Sequence, residues 1–163
     1  MTQEKKPVTA GAYVAPGAVV TGDVVLEPDA NIWYGAVLRG DCGQIRIGAG
    51  TNIQDNAVIH DATILGKNCT VGHSAIVHGA TVGDGCLIGM GSIVLTGAVL
   101  EEDCLVGAGA VVTGKTHAPA GSVLLGNPAR ITKVLTPEQR LETLKNAAHY
   151  VELAKKAFGK EEG

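Results

Sequence analysis

The sequence predicts an all-β chain: a parallel β-helix of about six triangular coils built from hexapeptide repeats, closed by a C-terminal α-helix. Glycine supplies 23 of the 163 residues, about twice ordinary usage, with no collagen period. Aromatic residues make up only 3% while apolar residues reach 45%, so a core that would normally take its bulk from rings must be filled by aliphatic side chains. Above all, a branched apolar residue recurs every six positions, the kind of self-similarity that decides an architecture before local propensities do.

The series opens with Val14, Val20, Leu26, Ile32 and Leu38. Three extra residues intervene in the stretch Cys42 to Arg46. It resumes through Ile47, Ile53, Ile59, Leu65, Val71 and Val77, drops one residue, and continues through Val82, Ile88, Val94, Leu100, Val106, Val112 and Ala118. These are eighteen hexapeptides with two phase slips. Neither the helical period nor strict alternation fits them. Four residues after each apolar site the side chain is small, as at Ala18, Ala30, Ala36, Thr51, Ala57, Thr63, Ala75, Ser92, Ala98, Ala110 and Ser122. Gly, Asp or Asn precedes the small site at Gly17, Asp23, Asp29, Gly35, Asn56 and Asn68. These residue types tolerate positive φ and mark corners. Three short β segments per 18-residue coil make a triangular prism rising ~4.8 Å per coil. The aliphatic residue points inward, and the thin interior leaves no room for rings.

Cys42, Cys69, Cys86 and Cys104 all fall on the small site, where a free Cys serves as a small hydrophobe. No C-x-x-C pair is present, so metal or redox roles for them are secondary and the chain is expected in a reducing compartment, the cytoplasm. The polar start, Met1 to Pro7, carries no apolar signal region, and no apolar run approaches ~20 residues. A net charge of -3 and a pI near 5.9 argue against nucleic acid or an anionic membrane as partner.

After Arg130 the pattern changes. Thr136-Pro137-Glu138-Gln139 reads as an N-cap, a Pro at the first helical position and a capping-box Gln. Leu141, Leu144, Ala148, Val151 and Phe158 follow at helical spacing. The expected division is a repeat domain over residues 1–135 and an amphipathic helix over 136–163 packed along the prism.

The coil length also places outward side chains. His60 and His78 each follow an inward residue and lie 18 apart, so they are neighbours on one outer face; Arg39 joins this column one coil earlier and Leu95 ends it. The preceding face carries the column Tyr34, Asp55, His73, Met90, with Gln54 beside Asp55. His73 and His78 are five residues apart, up to ~16 Å when extended, whereas zinc needs ligand nitrogens at ~2.0–2.1 Å. One chain therefore does not bring the three histidines together. A neighbour laying its His73 column on this chain's His60/His78 column would do so, and would set Arg39 of one chain against Asp55 of the other as a charge-assisted pair. A threefold ring satisfies every such contact at once. The plain alternative is a set of solvated histidines; three of them with an Arg/Asp pair on two columns favour the metal. His117 and His149 lie outside the pattern.

These residues carry a resemblance. The coils, Arg39-Gly40-Asp41, Asn52-Ile53-Gln54-Asp55, His60, Gly72-His73, His78 and Gly126-Asn127-Pro128-Ala129-Arg130 resemble the gamma-class carbonic anhydrase family over residues 11 to 158. The resemblance implies a left-handed helix, a homotrimer, and metal sites between subunits with two His from one chain and one from the next. By it, His60, His73 and His78 would hold zinc, with iron or cobalt as alternatives. The metal's open position would hold a water of lowered pKa for the reversible hydration of carbon dioxide to bicarbonate. Asn52 and Gln54 resemble residues that orient water and bicarbonate. Arg39, Asp41 and Asp55 resemble an interface ion-pair network, and Tyr150 a Tyr near the site; a purely structural role stays open for Asn52, Gln54 and the three charged residues. Trp33 and Tyr34 read as interface packing. There are departures: His60 and His73 are only 13 positions apart, so the prototype's acidic loop and its shuttle Glu are absent, and Cys42 stands where the prototype has a Glu. Two other functions remain: a hexapeptide acyltransferase using an acyl-CoA, and a metal-binding scaffold subunit with little turnover.

Overall fold

The computed structural model describes residues 6–159; the outer ends of the two expected segments, 1–5 and 160–163, lie outside the described residues. The chain is a left-handed parallel β-helix of about six coils plus one helix. Parallel pairing aligns the inward residues into three columns. One runs Val14, Ile32, Ile53, Val71, Ile88, Val106, Leu124. The second runs Val20, Leu38, Ile59, Val77, Val94, Val112. The third runs Leu26, Ile47, Leu65, Val82, Leu100, Ala118. From Leu26 onward every member is buried. Val14 and Val20 are not; among the described residues each of the two pairs with the next coil alone.

The corners follow from the same stacking. Asp29, Gly50, Asn68, Gly85, Asp103 and Gly121 lie one coil apart and all have positive φ. Asx and Gly alternate along this edge for a steric reason: a Cβ at Gly50 would sit 2.5 Å from Asn68 Oδ1. The small sites fill the space behind the corners, and their hydroxyls bond locally, Thr51 Oγ1 to the Gly66 carbonyl at 2.6 Å and Ser92 Oγ to the Gly89 carbonyl at 2.7 Å. Cys69, Cys86 and Cys104 are buried there as expected, donating to the carbonyls of Gly83, Glu101 and Pro119. Burial pushes the Cys69 thiol up to about 11.

Two expectations need correction. Asp23 is not a corner: it lies within the strand Val19–Leu26, and Gly22 beside it carries the positive φ. The three-residue insertion is present, overlapping the expected stretch Cys42 to Arg46 and beginning one residue earlier. Gly22 pairs with Gly40 and Val24 with Ile45, so Asp41, Cys42, Gly43 and Gln44 oppose Asp23 alone. This is a bulge that adds three residues to one strand while the pairing continues on both sides. The strand therefore continues without a break from Val37 to Ile47, bending at the bulge, and joins two faces of the prism into one ten-stranded sheet. As part of the bulge, Cys42 is exposed rather than buried.

Beyond the coils, Ser122–Gly126 and Ala129–Val134 form an antiparallel hairpin that closes the prism. The helix spans Pro137–Phe158, with Thr136 as N-cap and Gln139 completing the capping box. It lies along the face built by Tyr13–Val14, Asn31–Ile32, Asn52–Ile53 and Thr70–Val71. Its buried residues are Thr143, Ala147 and Ala154, with Tyr150, Val151 and Phe158 half-buried. Leu141, Leu144 and Ala148 are exposed, contrary to the expected apolar stripe. Small side chains let the helix backbone lie close against the sheet, and close packing, not hydrophobicity alone, selects the buried face. No helix among the described residues is long and apolar enough to cross a membrane.

Candidate metal centre

The two outer columns are realised in the pairing. Arg39 pairs with His60, and His60 with His78. His60 Nδ1 lies 3.0 Å from His78 Nε2. The opposite nitrogen of each ring is already held: His60 Nε2 is 3.0 Å from Asp41 Oδ1, and His78 Nδ1 is 2.9 Å from Thr96 Oγ1. Arg39 bonds Asp41 in turn. The His60 hydrogen bond, with Arg39 behind it, holds the Asp41 carboxyl down to about 2. On the other face Asp55 stacks beneath His73 and its Oδ2 lies 3.0 Å from His73 Nδ1.

All three rings thus share one arrangement. A carboxylate or hydroxyl holds one nitrogen of each ring; of the nitrogens left over, His60 Nδ1 and His78 Nε2 face each other 3.0 Å apart, and the third is His73 Nε2. A ligating His characteristically donates its second N–H to such an oriented partner, so the donor set and its supports fit a zinc-type cation. One chain does not gather the three rings. Among the described residues, the set whose donor atoms fall together is Asp41, Cys42 and His60, within 4.8 Å of one another. Within the chain Arg39 pairs with Asp41 rather than Asp55. The Asp41 charge pushes the Cys42 thiol up.

Gln54 and Asn52 are buried beside the His73 face. Gln54 Nε2 donates to Asn52 Oδ1 at 3.0 Å, and Asn52 Nδ2 donates to Thr70 Oγ1 at 2.9 Å. A groove of about 390 Å3 runs between the helix and this face, lined among others by Gln54, His73, Met90, Leu105, Asn146 and Tyr150. Burial, and then the Asp55 charge, raises the Tyr150 phenol above its ordinary value. Trp33 packs inside the chain, 5.4 Å from the Tyr150 ring and 5.1 Å from Phe158. Tyr34 touches Phe158 but stays exposed. His117 pairs with Glu101, and His149 lies against Tyr150.

Sequence reasoning missed Thr96 and Asn146. Thr96 stacks on Gly79, the residue where the repeat is one short, so a register corrected for that slip would have found it. Asn146 donates to Thr70 Oγ1 at 3.1 Å; a helix position facing one strand leaves no mark in the repeat.

Comparison with known proteins identifies the family and the scaffold. The family model described as the GMPPB C-terminal domain matches residues 20–127, the coils. Gamma carbonic anhydrase 2, mitochondrial, of Arabidopsis thaliana is 44% identical over 93% of this chain and 58% of its own length. A protein named "Probable carbonic anhydrase" in Methanocaldococcus jannaschii is 41% identical over 86% of this chain and 91% of its own. The chain belongs to the gamma-class carbonic anhydrase family, and its coils to the GMPPB C-terminal domain family. It spans about three fifths of the length of the plant gamma carbonic anhydrases. The crystal structure of a hexapeptide transferase family protein from Anaplasma phagocytophilum superposes with a TM-score of 0.89 at 42% identity, covering 92% of each chain. This gamma-class chain therefore shares its scaffold with a protein named for another chemistry.

Proposed function

We propose that this gamma-class chain forms a homotrimer that reversibly hydrates carbon dioxide to bicarbonate. His60 and His78 of one protomer and His73 of its neighbour would hold the cation, Zn2+ with Fe2+ or Co2+ as alternatives. The observation that carries the reading is the common arrangement of the three imidazoles: each has one nitrogen held by Asp41, Thr96 or Asp55, and the remaining nitrogens of His60 and His78 face each other 3.0 Å apart. A cation of this kind lowers the pKa of water to near ~7 and so supplies a hydroxide at neutral pH.

The remaining work falls to this chain's own groups. Asp41 keeps His60 in one tautomer, and Arg39 keeps Asp41 ionised and in place. Asp55 does the same for His73, and the Thr96 hydroxyl holds the orientation of the His78 ring. The chain of bonds from Gln54 through Asn52 to Thr70 fixes the Gln54 amide at the groove wall, where it can orient water or bicarbonate. Tyr150, kept neutral by burial and the Asp55 charge, offers an O–H at the groove's helical side. The four free thiols support a reducing compartment, the cytoplasm. Stopped-flow hydration of carbon dioxide on protein of known metal content tests the proposal: a rate above buffer that scales with metal occupancy is expected. Full occupancy with no rate would leave the metal-binding scaffold as the reading. Acyl-CoA transfer is the second alternative, favoured by the mainly apolar groove beside His73, and binding of acetyl-CoA by metal-free protein would support it.

A further inference from the structure

We infer that Asp41, Cys42 and His60 form a second cation site, complete within one chain and suited to a thiophilic divalent ion such as Zn2+, Co2+ or Cd2+. Their donor atoms, one each of carboxylate oxygen, sulfur and imidazole nitrogen, lie within 4.8 Å of one another. Cys, His and Asp are the zinc donor types, and three protein ligands leave a fourth position for water. Neither Asp41 nor Cys42 belongs to the histidine set above, and no residue of a neighbour is needed. His60 would serve this site through Nε2, the nitrogen facing Asp41, opposite the one facing His78.

The bulge delivers these groups and holds them. Asp41 and Cys42 are extra residues with no partners in the ladder, so their side chains turn out beside His60 instead of stacking into a column. Two glycines flanking them are fixed by close backbone approaches. A Cβ on Gly40 would lie 2.5 Å from the Asp23 carbonyl oxygen, and one on Gly43 would lie 2.8 Å from Ala62 Cβ. The pair is thus pinned on both sides, and a pre-organised site loses less entropy on binding. Cys42 is exposed, while the other three thiols are buried in corners with backbone acceptors. Binding releases the S–H proton of Cys42 to solvent and moves the His60 proton from Nε2 to Nδ1, the nitrogen facing His78, so that Nε2 can ligate; no oxidant is involved. Because His60 belongs to both donor sets, an ion held here takes the Asp41 and His60 atoms that orient the ring for the other.

The test is a Co2+ titration of the full-length His73→Ala variant, which removes competition from the shared site. A near-ultraviolet thiolate-to-cobalt charge-transfer band that saturates at one ion per chain is expected. Adding Cys42→Ser, at an exposed position, should abolish the band with circular dichroism unchanged, and His60→Ala should abolish it as well. No band in His73→Ala, or a band that survives Cys42→Ser, would overturn the site. The absence of carbon dioxide hydration would not bear on it, nor would loss of the band bear on the hydration proposal.

Discussion

The coils from Val82 onward and those flanking the bulge at Asp41–Gln44 are made of the same hexapeptide, but they use it differently. In the later coils the register is regular, inward columns are fully buried, and the outward positions that continue the histidine faces carry Met90, Leu95 and Ala108. Around the bulge, a three-residue insertion and the one-residue deficit at Gly79 bracket His60 and His78. Arg39, Asp41, Cys42, Asp61 and Thr96 gather there. The uniform repeat provides rigidity, and its two slips re-aim side chains that a perfect repeat would stack into plain columns.

That contrast can be broken from either side. The largest effect is expected from His73→Ala in a Cys42→Ser background, which disables the intrachain site: all metal is lost from the proposed trimer while the prism stays folded, because the ring projects from the core. Elemental analysis beside a thermal melt reads both, and wild-type metal content would remove His73 from the ligand set. In the regular region the reverse should hold. Ile88 is fully buried, and Ile88→Ala should lower unfolding free energy by about 2–5 kcal/mol in a urea titration, with metal per folded chain unchanged. Asp55→Asn keeps the shape but loses the charge that orients His73. Metal affinity should fall about 10–100-fold, measured by competition with a chelating dye; an unchanged affinity would make Asp55 a structural residue only. The smallest effect is at the helix. Thr136→Ala removes the N-cap bond to Gln139, 3.2 Å long, and should cost about 1 kcal/mol in the same titration with no change in metal content.

The difference also explains what could be read from the sequence. Wherever the period is six, position alone fixes a residue's neighbours one coil away. Hence the pairs His60/His78 and Asp55/His73, the three inward columns and the buried Cys69, Cys86 and Cys104 were legible without coordinates. The reading failed where the period does. By count alone Asp23 reads as a corner and Cys42 as an inward small residue, because a count of residues does not show which of them lack partners across a bulge. Thr96 escaped through the deficit at Gly79. The helix had clear caps, Thr136 and Gln139, but its buried face depends on how near the backbone comes to the sheet. That distance favours Ala147 and Ala154 over Leu141 and Leu144, and nothing within the helix encodes it.

The central claim is that the three histidines act across a subunit boundary. Unfolding His60→Ala and His73→Ala chains together, both carrying Cys42→Ser so that the intrachain site is disabled, refolding them as a mixture, and measuring metal in the isolated mixed trimers addresses it directly. Each variant alone should be metal-free. In a mixed trimer one interface joins an intact His60/His78 pair to an intact His73, so one of the three sites should regain metal and, with it, carbon dioxide hydration. Mixed trimers that stay empty, or a single variant that keeps its metal, would contradict the account.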